Sequence, residues 1–409
     1  MKRYLERTYG EKKSVAVVCA LLCALQTFAL FQADSTVAGR PLALFSLILQ
    51  VLLIASLLVI RQKTFVFNNT TMLCAVSIFM WWVFASFIHG DNVGVFSLIA
   101  PIILSFYVLL DKESKRVSFI AWRNVIFYMS IFGIIAYTLY ATGIMQPFSM
   151  NDFYELDAPA QYANYGLAYV FVPNTAIGFD RLCGLFNEPG MLGTMGAFVL
   201  IADGMKVNFK NIVIFIACIM TFSMAFFMLI FFYLALKILF TRDMKTSFAV
   251  IIVILIISYI SARIAFSDNS LHFFDRFVFE NGRFSGDDRI SSSDAMIWRA
   301  TISDPYTLWF GYQGTYKFEG SSYKSLIIHY GLLGFVSIFL PLLWAAFKAA
   351  EKNKLCLVLI ICFMISVYQR AQIMNVAYFA ILFGGIEFIK NTESIQSVTP
   401  KKKNSFLMF

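Results

Sequence analysis

Residues 181–196, RLCGLFNEPGMLGTMG, form the part of the chain best suited to chemistry. Arg181 and Glu188 bring charges of both signs to the beginning of an otherwise apolar segment, and Pro189 follows directly. Ionisable groups at the edge of a membrane-length apolar segment are functional candidates by default. A guanidinium presents a planar fork of N–H donors that fits phosphate and pyrophosphate. Arg181 therefore predicts a binding site for an anionic group.

Two local geometries are open for this pair of charges. If a helix begins near Arg181, Glu188 lies about two turns later on the same face. If the helix begins near Pro189, which a first helical turn tolerates, Glu188 is the N-cap or the residue before it, and its carboxylate faces the positive end of the helix dipole. Glu188 is then either a cap or a carboxylate that contacts substrate. Three glycines at a three-residue spacing predict close helix packing, in preference to contact with a polyprenyl chain: Gly190, Gly193 and Gly196.

The composition indicates a helical membrane protein. Hydrophobic residues make up 59% of the 409 residues and charged residues 14%, whereas soluble domains have about 25% charged residues. Apolar runs of about 20 residues recur, which is the length that crosses the hydrocarbon core of a bilayer. The expected fold is all-α with about twelve transmembrane helices. They are predicted at 14–33, 41–60, 71–90, 93–110, 122–142, 185–204, 211–223, 224–240, 246–265, 325–346, 355–369 and 373–389.

The apolar run 211–240 decides the number of spans. Its polar break, Thr221-Phe222-Ser223, predicts two short helices, whereas a single tilted helix would leave eleven spans and invert the topology after it. The positive-inside rule favours twelve spans with both termini cytoplasmic, because most of the 33 basic residues then lie on the inner side. Since topology explains the net charge of +9, a nucleic-acid partner is not expected.

Two long outer segments remain once the spans are assigned. Structureless loops beyond about 15 residues are uncommon unless they have a function, and an amphipathic piece at 294–302 predicts local folding. Arginines dominate the basic residues of the second loop, where they either bind phosphate or pair with neighbouring aspartates. The resulting divisions are 1–142 (spans one to five), 143–184 (first loop), 185–265 (spans six to nine), 266–324 (second loop), 325–389 (spans ten to twelve) and 390–409 (cytoplasmic tail).

Few other residues indicate chemistry. His329 lies inside the predicted span 325–346, where it is either a packed core residue or a catalytic group. Gly311 and Gly314 predict a tight turn before that span. No His, Cys or carboxylate spacing fits a metal, apart from a weak candidate at Asp287-Asp288, and no nucleotide-binding motif is present. No metal or cofactor is therefore expected, and the substrate must arrive at the outer face already activated, as a lipid pyrophosphate sugar does.

Several motifs resemble one family. RLCGLFNEPGMLG resembles an Arg-x-x-Gly-x-Phe-x-Glu-Pro pattern, and FGYQG…SSYKSLIIHYGLLG resembles a glycine turn followed by a Tyr-Gly-Leu-Leu-Gly helix start. TFS at 221–223 resembles the short polar break between consecutive spans. With the many-span layout, these motifs resemble the bacterial O-antigen polymerase (Wzy) family, within the O-antigen ligase/polymerase superfamily.

The resemblance implies a GT-C-like membrane glycosyltransferase in the bacterial inner membrane. It implies a metal-independent, inverting transfer of the growing glycan from undecaprenyl pyrophosphate to the non-reducing end of a new lipid-linked repeat unit at the periplasmic face. A chain-length regulator and a flippase in the same membrane are the implied protein partners. In such a transfer, arginines would stabilise the departing pyrophosphate and a carboxylate would orient or deprotonate the acceptor hydroxyl. The predicted catalytic residues are Arg181, Glu188, Arg276 and Arg289, and the predicted substrate-binding residues are Arg283, Arg299, Tyr323 and His329.

Two alternatives stay open. The related ligases have a histidine about ten residues before the glycine of the helix start, where this chain reads Gly320-Ser321-Ser322, which favours the polymerase. A lipid-linked oligosaccharide flippase also has about twelve spans. It should carry charges at mid-membrane on broken helices, often with internal repeats. This chain shows no repeat, and its remaining charges gather on the outer side.

Overall fold

The computed structural model of the chain describes most residues. They are 2–31, 39–60, 65–88, 99–153, 160–173, 180–186, 188–241, 252, 255, 279–280, 283–284, 292–312, 323–369 and 375–398. Within these ranges the chain is mostly helical, as the all-α expectation requires.

The helices follow the apolar runs of the sequence. They are α1 (Lys2–Thr27), α2 (Gly39–Ile60), α3 (Asn69–Ile88), α4 (Ile99–Leu109), α5 (Lys112–Thr142), α6 (Pro189–Ala202), α7 (Phe209–Met220), α8 (Met224–Thr241), α9 (Ser292–Ser303), α10 (Pro305–Phe310), α11 (Tyr323–Ala350), α12 (Lys354–Gln369), α13 (Val376–Phe379) and α14 (Gly385–Val398), with a 3₁₀ turn at Ala29–Phe31 and a π-helical segment at Ala380–Gly384. A helix lies within every predicted span except 246–265, which is outside the described residues apart from 252 and 255.

Two of these helices are long and apolar enough to cross a membrane. They are Lys112–Thr142 and Tyr323–Ala350, judged by length and composition among the described residues. The expected number of about twelve is not shown: in the other helices the apolar stretches found among the described residues, such as Leu44–Leu57 and Asn69–Met80, have 10–17 residues. α5 also begins at Lys112 rather than at 122, because Asp111 caps it by accepting a hydrogen bond from the Ser114 backbone at 2.6 Å.

The polar break in the run 211–240 separates two helices, which confirms the two-helix prediction. α7 ends at Met220 and α8 begins at Met224. Phe222, between them, has a left-handed φ of +46°, a conformation that bulky residues rarely adopt. The chain therefore turns sharply at Thr221–Ser223.

A small sheet occupies the first long loop, which the sequence did not predict. Its strands are β1 (Ser149–Phe153), β2 (Ala160–Asn164), β3 (Tyr169–Pro173) and β4 (Arg181–Gly184), each antiparallel to the next in chain order. Strands of four or five residues are too short to show a clear alternation of apolar and polar residues. A two-stranded hairpin, β5 (Phe279–Glu280) with β6 (Arg283–Phe284), lies in the second loop.

α6 forms the centre of the bundle. All of its residues are buried, and it contacts α7, α8, α12 and β4. A helix that is apolar on all sides is expected in such an interior position. The candidate motif at 181–196 therefore leads directly into the core of the protein.

The outer helices, by contrast, expose apolar side chains. On α2 these are Leu44, Phe45, Ile48, Val51, Leu52 and Val59, and on α11 they are Leu333, Val336, Leu340, Trp344 and Phe347. Faces of this size exceed the scattered apolar residues that a soluble surface carries.

Charged side chains join helix ends on one side of the bundle. Glu351, in the turn after α11, pairs with Lys112 at 3.2 Å and with Lys390 of α14 at 2.6 Å. Lys12 of α1 lies 3.7 Å from Glu113. At the other end of α1, the Ala29 N–H donates to the Leu185 carbonyl at 2.8 Å. The candidate motif therefore lies just beyond the last residue of α1, and this ionic cluster contacts the same helix about four turns earlier.

Candidate functional site

Arg181 begins β4 and joins the sheet to the turn between α7 and α8. Its Nε donates to the Thr221 carbonyl oxygen at 2.8 Å, and its Nη2 donates to the Phe222 carbonyl oxygen at 3.4 Å. The guanidinium carbon also lies 5.9 Å from the centre of the Phe171 ring, on the neighbouring strand β3. The half-buried charge is thus held by two backbone carbonyls and one aromatic ring.

These contacts follow from the chemistry of a helix end. The last carbonyls of a helix have no partner within it and need one elsewhere, and positive charge is favourable there. Thr221 is the C-cap residue of α7, so Arg181 supplies both the donor and the charge. The polar break at 221–223 is a partial signal of this contact, but nothing in the sequence connects the break to Arg181.

Glu188 occupies the N-cap position of α6, with Pro189 as the first helical residue. Its backbone is extended (φ −140°, ψ 141°), and its side chain makes no capping hydrogen bond. The helix therefore begins at Pro189, which is the second of the two predicted geometries, and Arg181 and Glu188 do not share a helix face. Glu188 lies at the positive end of the α6 dipole, but it does not cap the helix with its carboxylate.

Glycines of α6 bring that helix against the same turn, as their spacing predicts. A Cβ atom at Gly193 would lie 2.6 Å from the Ser223 Cβ and 2.9 Å from the Thr221 hydroxyl. At Gly196 a Cβ atom would collide with the Cys218 sulfur. The first turns of α6, the α7–α8 turn and Arg181 therefore form one packed unit, which we call the β4–α6 junction.

Asp180 lies directly before Arg181, at the start of β4. Burial raises the pKa of its carboxyl above the ordinary aspartate value. The Tyr137 hydroxyl donates to the Asp180 backbone carbonyl at 3.3 Å, which ties the start of β4 to α5. A carboxyl with a raised pKa is more easily protonated than a surface aspartate near neutral pH.

The arginines predicted from the second loop are not brought to Arg181 by any described contact. Arg276 and Arg289 lie outside the described residues. The Arg283 backbone pairs with Glu280 in the hairpin, while its side chain is not among those described. Arg299 is exposed on α9. Their proposed phosphate contacts stay predictions.

Tyr323 lies in an aromatic cluster on the second loop. Its ring stacks on Tyr368 of α12, with centroids 5.3 Å apart and planes at 20°, and meets Trp298 of α9 edge-on at 6.2 Å. Lys324 lies over Trp298 at 5.8 Å. Trp298 and Tyr368 were not predicted as part of a site, since they are distant from Tyr323 in the sequence.

His329 is exposed just before a break in α11. Gly331 interrupts the helix with φ 66° and ψ 174°, and the segment after α10 packs into that break. The Tyr312 N–H donates to the Ile328 carbonyl at 2.7 Å. Gly311 has a φ of +94°, as the predicted tight turn requires, whereas Gly314 is outside the described residues.

The described residues contain no group of three His, Cys, Asp or Glu side chains that could hold a metal ion. The pair Asp287-Asp288 lies outside them. No family model, curated protein or solved structure matches the chain. The candidate site therefore rests on its own geometry.

Proposed function

We propose that this chain is a polytopic membrane protein with about twelve spans that polymerises lipid-linked oligosaccharide repeat units at the outer face of the bacterial inner membrane. The exposed apolar faces of α2 and α11 support the membrane location, because their side chains match the hydrocarbon of a bilayer. The two helices of spanning length support it as well.

The distribution of charge supports the proposed orientation. Three lysines that the positive-inside rule assigns to the cytoplasm belong to the same ionic cluster. Lys12 lies close to Glu113, and Lys112 and Lys390 both pair with Glu351. On the same side of the bundle, the Arg116 side chain donates a hydrogen bond to the Asn391 side-chain oxygen at 3.5 Å. The β4–α6 junction, which lies just beyond the last residue of α1 and away from this cluster, then faces the periplasm.

The observation that carries the functional proposal is the fixed position of Arg181. Two carbonyls of the α7–α8 turn hold its guanidinium at the start of the core helix α6. A charge fixed in a low-dielectric junction stabilises developing negative charge better than a mobile surface charge, because it needs no reorganisation. The group that fits it is the pyrophosphate of a polyprenyl carrier.

The proposed transfer uses both charged residues of the motif. A hydroxyl oxygen at the non-reducing end of the new repeat unit attacks the anomeric carbon of the growing glycan. The bond from that carbon to the pyrophosphate oxygen breaks, with inversion. The lipid pyrophosphate leaves with both bonding electrons beside Arg181, and Glu188 accepts the hydroxyl proton as general base. The proposed further contacts to the substrates are His329 of the predicted span 325–346 and five residues of the second loop: Arg276, Arg283, Arg289, Arg299 and Tyr323.

Deletion of the gene, with complementation, tests the reaction class in the organism that carries it. Loss of a polymerase leaves the surface lipid anchor capped with a single repeat unit. Loss of a ligase leaves polymer on its lipid carrier, and loss of a flippase leaves no capped unit at the surface. Either of the last two glycan patterns would contradict the proposal.

Arg181→Lys tests the site itself, because the charge remains and the planar fork is lost. We expect shortened glycan chains from a protein that still inserts in the membrane. Arg116→Lys is the matched control: Arg116 pairs with Glu113 at 2.6 Å in the ionic cluster, away from the β4–α6 junction. Normal chain length with Arg181→Lys would refute the pyrophosphate role of this arginine.

A further inference from the structure

The turn between α6 and α7 projects two apolar side chains out of the protein. Val207 is 89% exposed and Phe209 is 71% exposed. Lys206, also exposed, and half-buried Lys210 flank them. The turn lies at the end of α6 opposite the β4–α6 junction, so it is not part of the site described above.

The turn is built rigidly. The Asn211 side-chain amide donates to the Lys206 carbonyl at 2.8 Å, and the Asn208 side chain caps α7 by accepting from the Asn211 N–H at 3.0 Å. Gly204 and Met205 have left-handed φ values of 69° and 53°. The backbone that carries the exposed side chains is therefore ordered before any partner is bound, which lowers the entropy lost on binding.

The charged side chains that this turn presents at the surface are lysines. Asp203, the one acid of the turn, is buried and paired with Arg123 at 3.0 Å, and it also accepts from Asn211. Lys210 donates to the Asn124 side chain at 2.9 Å and lies over the Phe127 ring. The Phe209 ring meets Phe127 edge-on at 6.0 Å. The surface that remains for a partner therefore has the exposed parts of Val207 and Phe209 in the middle, Lys206 beside them and the Lys210 ammonium at its edge.

We infer that residues 205–210 are a membrane-insertion turn that binds the interface of a bilayer containing anionic lipid. Val207 and Phe209 enter the boundary between headgroups and acyl chains, and Lys206 and Lys210 contact lipid phosphates. An apolar tip with flanking lysines fits this occupant in both hydrophobicity and charge. The inference concerns membrane contact and does not depend on the transfer reaction.

The test uses a fluorophore whose emission depends on polarity, attached to Val207→Cys in the full chain. The seven native cysteines are all buried, so the introduced thiol is the one that reacts. Lys354→Cys, at an exposed polar position at the same end of the bundle, is the control. Both labelled proteins are reconstituted in phosphatidylcholine vesicles with or without phosphatidylglycerol, and flotation of the vesicles verifies incorporation.

We expect a blue shift and strong quenching by spin-labelled acyl chains at position 207, with water-like emission at 354. Quenching at position 207 should increase when the vesicles contain phosphatidylglycerol. The double substitution Lys206→Gln/Lys210→Gln should remove that increase, whereas the control double substitution Lys352→Gln/Lys354→Gln should preserve it. Water-like emission at 207, or failure of the protein to float, would overturn the inference. Quenching that is independent of phosphatidylglycerol would overturn the assignment to anionic lipid. Shielding in native membranes but not in vesicles would indicate a protein partner instead.

Discussion

The Arg181 Nε donates to the Thr221 carbonyl oxygen at 2.8 Å, across 40 positions of sequence. This bond makes the charged motif and the break between α7 and α8 a single unit. Gly193 of α6 packs against the same turn. A substitution that removes the Arg181 guanidinium therefore changes the stability of the turn as well as the group that can contact a substrate.

Arg181→Met should lower stability by about 2 kcal/mol, because it removes charge-assisted hydrogen bonds to two carbonyls while keeping an apolar stem of similar length. Thermal unfolding of the purified protein in detergent measures the effect. Arg299→Met, which changes an exposed arginine on α9, should leave the midpoint unchanged. Equal midpoints for both variants would show that the Arg181 contacts do not stabilise the turn.

The helices and their breaks could largely be predicted from the sequence, because apolar runs of near-span length and a polar interruption are local signals. The break at Thr221–Ser223 is an example. α5 begins at Lys112, ahead of the predicted span 122–142, because the charged residues after Asp111 continue the helix toward its cap.

The contacts of the candidate site were not predictable in the same way. Arg181 and Thr221 are brought together only by the tertiary fold. β4 likewise depends on its pairing with β3, which includes the pair Phe171 and Arg181. The residue types of the motif indicated an anionic ligand. Neither the types nor their spacing could show that backbone carbonyls hold the guanidinium.

Gly193→Ala should destabilise the β4–α6 junction by about 2 kcal/mol through overpacking, because the new methyl group would lie 2.6 Å from the Ser223 Cβ. Gly133→Ala is the control: its methyl group would meet the flexible end of the Leu182 side chain at 2.9 Å. Adding Ser223→Gly to Gly193→Ala should restore part of the loss in a double-mutant cycle. Additive losses in that cycle would contradict a direct contact.

Gly331→Ala should cost about 3 kcal/mol, because a φ of 66° with a ψ of 174° is essentially restricted to glycine. The new methyl group would also lie 2.7 Å from the Gly311 nitrogen and collide with the Trp309 carbonyl. Gly143→Ala is the comparison. Gly143 has a φ of 66° with a ψ of 8°, a left-handed conformation that other residues can adopt, and nothing lies within 4 Å of its Cβ position, so its loss should be about 1 kcal/mol. Similar unfolding midpoints for the two variants would exclude a role of the α10–α11 contact in stability.

Asp180→Asn and Asp304→Asn should change the pH dependence of stability in opposite directions. Burial raises the pKa of Asp180, so its contribution is fully present below the ordinary aspartate pKa of about 3.9 and is lost as the pH rises through the folded-state pKa. Asp180→Asn should therefore match the wild type in acid and exceed its thermal midpoint at neutral pH.

Asp304 shows the reverse shift. Hydrogen bonds from Thr307 and the Tyr306 N–H lower its pKa, so its contribution is present above the ordinary aspartate pKa and is lost as the pH falls through the folded-state value. Asp304→Asn should be less stable than the wild type at neutral pH and equal to it in acid. Midpoints of the three proteins measured across the same pH series check both signs, because a general effect of acid on the bundle would shift all three curves together.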